Sequence, residues 1–283
     1  MRSQKIMLLL GMAVLIGAGL FLFGCSDDET PTNNNGDLND PEFLQVYGQL
    51  SDFMDSTLSA FNSGIGSVNA LSTDTSVDPV YYGPIDPEAH TDSSSISYSQ
   101  GWYEVYVAYH AESYSTYIRD SIQFLNGGVS QQSSTGVETV LYRHYWSYDV
   151  PNTDVTHNTY EGRSAFTFGN LNTNLSTVNG TNELEVVSKL VSNDSTVERN
   201  FNFDADFSNI RISKTGSGWA QGCPKSGSVA FSLQMSYQKD DEAPDTTNWT
   251  GTISFTFGTA SYNFGNGTDS WGYSQNECSA PSN

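Results

Sequence analysis

Val229-Ala230-Phe231-Ser232-Leu233-Gln234-Met235-Ser236-Tyr237 decides the class of fold. Five apolar side chains alternate with four small or polar ones, a period of two that puts Val229, Phe231, Leu233, Met235 and Tyr237 on one face of a strand. The same alternation recurs at Tyr103, Val105, Val107 and Tyr109, at Val197, Phe201, Phe203 and Phe207, and at Ile253, Phe255 and Phe257. One wet face and one packed face indicate antiparallel pairing. Asn126-Gly127, Asn179-Gly180 and Asn266-Gly267 are hairpin-turn signals, because a type I′ turn needs positive φ at both central residues. The expected fold is mainly β, an antiparallel sandwich or up-and-down barrel over residues 101–283, with one N-terminal helix.

A shift of 89 residues aligns 139–169 with 228–258 and superposes Phe166-Thr167-Phe168-Gly169 on Phe255-Thr256-Phe257-Gly258. Two related β units that complete one another's core would produce such a repeat. The alignment lays Tyr142, His144 and Trp146 on the inward residues Phe231, Leu233 and Met235, so His144 is expected among aromatics. It reads first as a hydrogen-bonded core histidine; together the three are candidate residues for an internal ligand pocket. Upstream, Asp40 can cap a helix that opens with Pro41 and Glu42. Phe43, Tyr47, Leu50, Met54, Leu58 and Phe61 form its apolar stripe, which assigns residues 41–71 to a helix docked on the sheet. Residues 72–100, rich in Ser, Asp and Pro, read as a long loop.

The N-terminus carries Arg2 and Lys5 before an apolar run over residues 6–23, the form of a secretory signal. Leu22-Phe23-Gly24-Cys25 closes it and resembles the lipobox of bacterial lipoproteins. That resemblance implies cleavage after residue 24, acyl chains on Cys25 and a membrane as the chain's first partner. More than one acyl chain suffices for lasting attachment, where one holds marginally. Ser26-Asp27-Asp28-Glu29 resembles the acidic export tract of Bacteroidetes-type surface lipoproteins, which implies the cell surface, with a periplasm-facing anchor as the alternative. Residues 25–40 read as a tether.

The chain has 11 basic and 32 acidic residues. Losing residues 1–24 removes two bases and no acid, leaving nine bases against 32 acids, net −23. Such a charge repels phosphate backbones and anionic lipid, and argues against nucleic-acid binding and against a polybasic membrane patch. With Cys25 assigned to lipid, Cys223 and Cys278 remain as an even pair in an oxidising compartment. A disulfide between them would close a loop of about 55 residues, stabilising by about 4 kcal/mol in the chain-entropy model.

Signatures of catalysis are missing: no HExxH, Walker loop, GxGxxG or GxSxG occurs, and no pattern calls for a cofactor. Ser236-Tyr237-Gln238-Lys239 spells SxxK, but residues three apart on a strand point to opposite faces. Asp204 and Asp206, sharing a face with Asn200 and Asn202, could in principle hold calcium; a solvated strand face explains them as well. Tyr106 and Tyr145 face away from the apolar side of their strands and are candidate stacking platforms for a glycan or protein partner. The expected function is a non-catalytic binding or structural lipoprotein. The alternatives are a carrier for an apolar ligand and a secreted hydrolase.

Overall fold

The computed structural model describes residues 32–33, 43–44, 46–48, 50, 91–110, 114–152, 156–192, 195–214 and 222–276. They form thirteen strands: β1 (Thr32–Asn33), β2 (Thr91–Ser99), β3 (Trp102–His110), β4 (Ser115–Asn126), β5 (Val129–Gln131), β6 (Thr139–Asn152), β7 (Thr156–Gly169), β8 (Leu175–Ser192), β9 (Ser195–Lys214), β10 (Gly222–Lys239), β11 (Asp245–Thr256), β12 (Thr259–Gly265) and β13 (Ser270–Asn276). All pair antiparallel in one sheet of order β1-β13-β12-β11-β10-β9-β8-β7-β6-β4-β3-β2, with β5 a short flap on β4. The connectivity is up-and-down, and the sheet is open, ending at β1 on one side and β2 on the other. The fold is mainly β with one short helix, as the alternation requires.

Two strands lie where the sequence suggested none. β2 falls inside the expected loop, because Ser93, Ser95, Ser97 and Ser99 hide the alternation while the ladder to β3 supplies the order. β1 falls inside the expected tether, where Thr32 pairs with Gly272 and Asn33 with Trp271.

One rung crosses the whole sheet on the apolar face: Ile96, Val105, Asp120, His144, Ser164, Asn182, Ala205, Phe231, Gly251, Phe264 and Trp271 are successive cross-strand partners. Around it lie Phe124, Phe168, Val178, Leu233, Trp249 and Ile253, all buried. The opposite face carries Asp204, Asp206 and Ser208 on β9, Ser232 and Gln234 on β10, and Thr252, Ser254 and Thr256 on β11, all exposed. That polarity is the inverse of a membrane-spanning strand, whose outward side chains are apolar.

Glycines let large rings cover the strands. A Cβ on Gly162 would lie 2.2 Å from the Trp146 indole nitrogen, and one on Gly251 would lie 2.5 Å from the Phe264 Cβ and 2.7 Å from Phe231. Both are strand-interior positions where an aromatic on the partner strand occupies the missing side chain's space. Through Gly251, Phe231 and Phe264 come within 6.3 Å of each other across β11.

Asn179-Gly180 is not a turn. It lies within β8 at a bulge between Val178 and Gly180, and Asn179 Oδ1 accepts from the Asn209 backbone N–H at 2.8 Å. On the far side of β9, register shifts flank Ser226 and Ser228. The extra residue is on β9, which takes three steps from Phe207 to Ile210 where β8 takes two from Gly180 to Val178, so inward parity on β9 passes from Phe207 to Ile210 and Ile212 and both isoleucines stay buried. Of the other turn signals, Asn266-Gly267 opens the β12–β13 turn, with Asn266 Oδ1 accepting from Thr268 and Asp269 N–H groups. Asn126 closes β4, and the two-residue loop after it is Gly127-Gly128, both at positive φ.

The repeat corresponds to two hairpins, β6–β7 and β10–β11, in different register. The shift carries Trp146 onto Met235, yet Gly251 pairs with Phe231, four residues earlier, whereas Gly162 pairs with Trp146. Four is even, so each copy keeps its inward face. Tyr237 and Phe257 leave the expected core: Tyr237 is exposed where β10 outruns its cover, with the Arg199 guanidinium 5.9 Å from its ring, and Phe257 sits in the β11–β12 turn. Phe43, Leu44, Val46, Tyr47, Gly48 and Leu50 are helical. Phe43, Val46 and Leu50 are buried, Phe43 stacks on Trp271 (5.2 Å) and Phe264 (5.8 Å), and Tyr47 packs on Tyr273 (4.6 Å). The helix thus docks on the protein's own sheet, as its stripe requires; the remainder of the expected helix, including Met54, Leu58 and Phe61, lies outside the described residues.

Gly162→Ala and Gly251→Ala should each destabilise by roughly 1–3 kcal/mol, the usual cost of overpacking. For a chain of this size that lowers Tm by about 2–4 °C per kcal/mol in thermal unfolding. Gly169→Ala, where nothing lies within 4 Å of an added Cβ, should leave Tm unchanged.

Candidate functional site

Tyr142, His144 and Trp146 all stand on the apolar face of β6, as the repeat alignment requires. Asp120, the cross-strand partner of His144 on β4, is only 5% exposed. Its Oδ1 accepts from the Tyr142 hydroxyl at 3.0 Å and lies 2.6 Å from His144 Nδ1. Tyr142 and His144 stack with ring centroids 6.0 Å apart, while Trp146 lies over Gly162. The opposite neighbour of His144 in the rung is Ser164, whose hydroxyl donates to Asn182 Oδ1 at 3.1 Å. Asp, His and Ser thus stand side by side, but the serine is held toward β8, on the far side from the histidine. The chemistry of the cluster is that of a satisfied polar insert in an aromatic face: every polar atom withdrawn from water there is given a partner.

The other face holds a concavity of about 610 Å³ across β7–β11. Two adjacent rungs build it. Arg163, Glu183, Asp204, Ser232 and Thr250 form one, and Glu161, Glu185, Asn202, Gln234 and Asn248 form the next. Strands spaced about 4.8 Å apart give the trough a length near 19 Å. It presents four carboxylates against one guanidinium, with amides and hydroxyls between them. Arg163 Nη2 donates to Glu161 Oε1 at 2.6 Å, and Gln234 Nε2 donates to Asn248 Oδ1 at 2.9 Å.

Continuing the same rungs beyond β7 brings in aromatics. Arg163 pairs with Tyr145, Tyr145 with Arg119, and Arg119 with Tyr106. The Arg163 guanidinium lies 5.6 Å from the Tyr145 ring, Tyr145 meets Tyr117 edge-on at 5.5 Å, and Tyr117 meets Tyr106 at 5.2 Å. Beside this row, Arg143 sits over Trp102 at 4.8 Å. Tyr106 and Tyr145, picked out one at a time by their strand parity, thus belong to one surface through Tyr117, which parity alone did not single out. Asp204 and Asn202 line the trough. Among the described residues no three of His, Cys, Asp or Glu converge so as to hold a metal ion.

His110 is exposed at the end of β3, on the face opposite Tyr109, as its parity requires. Ser236 and Lys239 lie three apart on β10, so the SxxK groups point to opposite faces. Cys25 and Cys278 lie outside the described residues, as does the side chain of Cys223, whose backbone pairs with Ser213. β13 ends at Asn276, two residues before Cys278, at the end of the sheet from which Cys223 enters β10.

Asp120→Ala removes the acceptor of the Tyr142 hydroxyl and the partner of His144 Nδ1 and should destabilise by about 1–3 kcal/mol, read by denaturant unfolding. Asp120→Asn, which can keep one of the bonds, should cost less. Burial raises the phenol pKa of Tyr148, and burial together with Tyr148 raises that of Tyr160, above the ordinary 10.0. Burial, together with Tyr98 and against a hydrogen bond to the Gln132 carbonyl, also raises that of Tyr103. A phenol whose folded-state pKa is raised contributes stability that is complete below the unfolded value and lost as pH climbs through the folded one. Unfolding free energy should therefore fall above about pH 10, with a late step in phenolate absorbance coincident with unfolding. Comparison with protein families, curated proteins and solved structures finds no match to this chain.

Proposed function

We propose that this chain is an exported, acyl-anchored lipoprotein whose β domain binds a ligand without catalysis, and that the trough on the solvent face, with its tyrosine extension, is the binding surface. The lipobox-like Leu22-Phe23-Gly24-Cys25 supports the anchor, and the acidic tract after it supports exposure at the cell surface, with the periplasm as the alternative. A disulfide between Cys223 and Cys278 suits that compartment.

One observation favours the trough: Arg163 belongs both to its wall and, over Tyr145, to the aromatic row. Carboxylates, amides and hydroxyls in two parallel rungs, continuous with tyrosine rings, suit a ligand with many hydroxyls and an apolar ring face. The ligand class is a neutral or amine-bearing glycan chain lying across the strands. Four carboxylates against one guanidinium disfavour sulfated or uronate-rich chains. A carrier function is the weaker reading, since Phe124, Phe168, Val178, Trp249 and Ile253 fill the apolar face with the protein's own side chains.

Affinity electrophoresis through gels of neutral polysaccharide should retard the mature chain. Tyr145→Ala should weaken retention roughly 2- to 10-fold, the equivalent of an aromatic contact of about 0.5–1.5 kcal/mol, and Arg163→Ala should weaken it too, with Tm unchanged in both. Binding that tracks Asp120 or His144 substitutions instead would move the site to the apolar face. Loss of labelled palmitate from Cys25→Ser cells tests the anchor.

A further inference from the structure

Arg119, Arg143 and Arg163 stand on three neighbouring strands of the polar face, although the chain holds only 11 bases against 32 acids. Cross-strand pairing joins Arg119 and Arg163 through Tyr145, and Arg143 lies two residues before Tyr145 on β6. Side chains at such direct and diagonal positions interact, and like charges there repel.

Carboxylates offset two of the three. Arg119 Nε donates to Glu104 Oε2 at 3.1 Å, and Arg163 Nη2 donates to Glu161 Oε1 at 2.6 Å. Arg143 has no such partner among the described residues; its guanidinium lies 4.8 Å from the centre of the Trp102 ring. Its cross-strand partners are Ser121 and Ala165, both too short to reach a guanidinium, so the space above them stays open. The Ser121 hydroxyl is engaged elsewhere, donating to Glu104 Oε2 at 2.8 Å. Glu104 is thus shared between Arg119 and Ser121. Arg119 uses only Nε for that contact, and its side chain is 58% exposed, which leaves its terminal nitrogens as donors beside Arg143.

Stacking on a ring fixes the plane of a guanidinium and leaves its in-plane N–H groups to a further partner. A carboxylate suits that fork, because its two oxygens accept two parallel hydrogen bonds. Around Trp102, two guanidiniums face one carboxylate, Glu104. The trough presents the opposite balance, with Glu161, Glu183, Glu185 and Asp204 against Arg163. The polar face is therefore dipolar across its strands. From β6 to β8 and β9 the separation is two and three strand spacings, about 10–14 Å.

We propose that Arg143, held on Trp102 and assisted by Arg119, is a subsite for a single carboxylate of the ligand. The ligand is then an amphoteric glycan chain, with one acidic sugar over β4–β6 and amine-bearing or neutral sugars over β8–β11. The inference rests on the trough as the binding surface and adds a direction to the bound chain. A polyanion does not fit, since each further carboxylate would meet the acids of the trough. An isolated carboxylate at one end does fit, because that end of the face carries the guanidiniums.

A glucosamine hexasaccharide supplies the probe in two forms that differ only at the terminal sugar, reduced to a neutral alditol or oxidised to an aldonate carboxylate. Calorimetric titration of the full chain should give the aldonate form a Kd roughly 3- to 10-fold below that of the alditol form. Arg143→Gln should erase that preference, and Arg143→Lys, which keeps the charge but lacks the fork, should retain only part of it. Gluconate alone, titrated into nitrogen-labelled protein, should move the Arg143 Nε–H resonance, identified by its loss in Arg143→Lys. The resonance of Arg199, whose guanidinium lies 5.9 Å from the Tyr237 ring, is the control and should stay in place. Equal binding of the two hexasaccharides, or a preference that survives Arg143→Gln, overturns the subsite and leaves the trough standing. A gluconate shift at Arg143 without binding of either hexasaccharide keeps the carboxylate contact and overturns the glycan reading of the trough. Neither shift nor binding overturns both.

Discussion

Parity is what the rest of this structure depends on. From β2 to β13 every hairpin, bulge and turn must return the chain with its apolar residues on the same side, since a one-residue slip in any strand turns its whole set toward water. The rung from Ile96 to Trp271 is the visible result. β9 carries one residue more than β8 and β10 just after Phe207, where Asn209 bonds Asn179 and faces the register shift at Gly227, and β10 carries one more than β9 between Pro224 and Ser226. The slips compensate one another, and Val178, Ile210 and Ile212 stay dry.

Keeping parity is not the same as filling space, and the two halves of the rung solve that differently. From β10 to β13 the face is built of rings: Phe231, Phe264 and Trp271 join through the gap at Gly251 and receive Phe43 from the helix. From β4 to β8 the same rung is polar, with Asp120, His144, Ser164 and Asn182 in sequence. Those groups can sit on a packed face only because they pair with one another and with Tyr142. A network of this kind fixes registry, since a slipped strand would leave Asp120 facing an apolar neighbour.

How much of this the sequence discloses follows from what period two can and cannot carry. The class, the inward faces of β3, β9 and β10 and the docking of the helix by Phe43 and Leu50 are all written in spacing. Neighbour identity is not. The inward direction of His144 was legible through the 89-residue alignment, but its partner Asp120 was not, because register between β4 and β6 depends on the turns and on β5. Asn179-Gly180 has the composition of a turn and the context of a bulge. The trough was the least legible feature. Its residues, among them Glu161, Glu183, Asn202 and Gln234, look like ordinary solvated positions until the rungs are assembled.

The assembled rungs also assign the work of each surface. Side chains occupy the apolar face, so its polar cluster serves registry first. The solvent face is broad, polar and continuous across at least eight strands, with aromatic rings toward β3 and hydrogen-bonding groups toward β11, a gradient that a long ligand can span and a small one cannot. What remains are the ends. One bears exposed Asp240, Asp241 and Glu242 together with Lys239, Tyr237 and Leu190, and the other bears Phe257. The long axis of the sheet, about 60 Å in β8–β10 at strand rise, runs between those ends. The trough lies midway along that axis, on the polar face. Turn and trough are thus separate places on one sheet, and the strand direction that separates them is the same one that parity enforces.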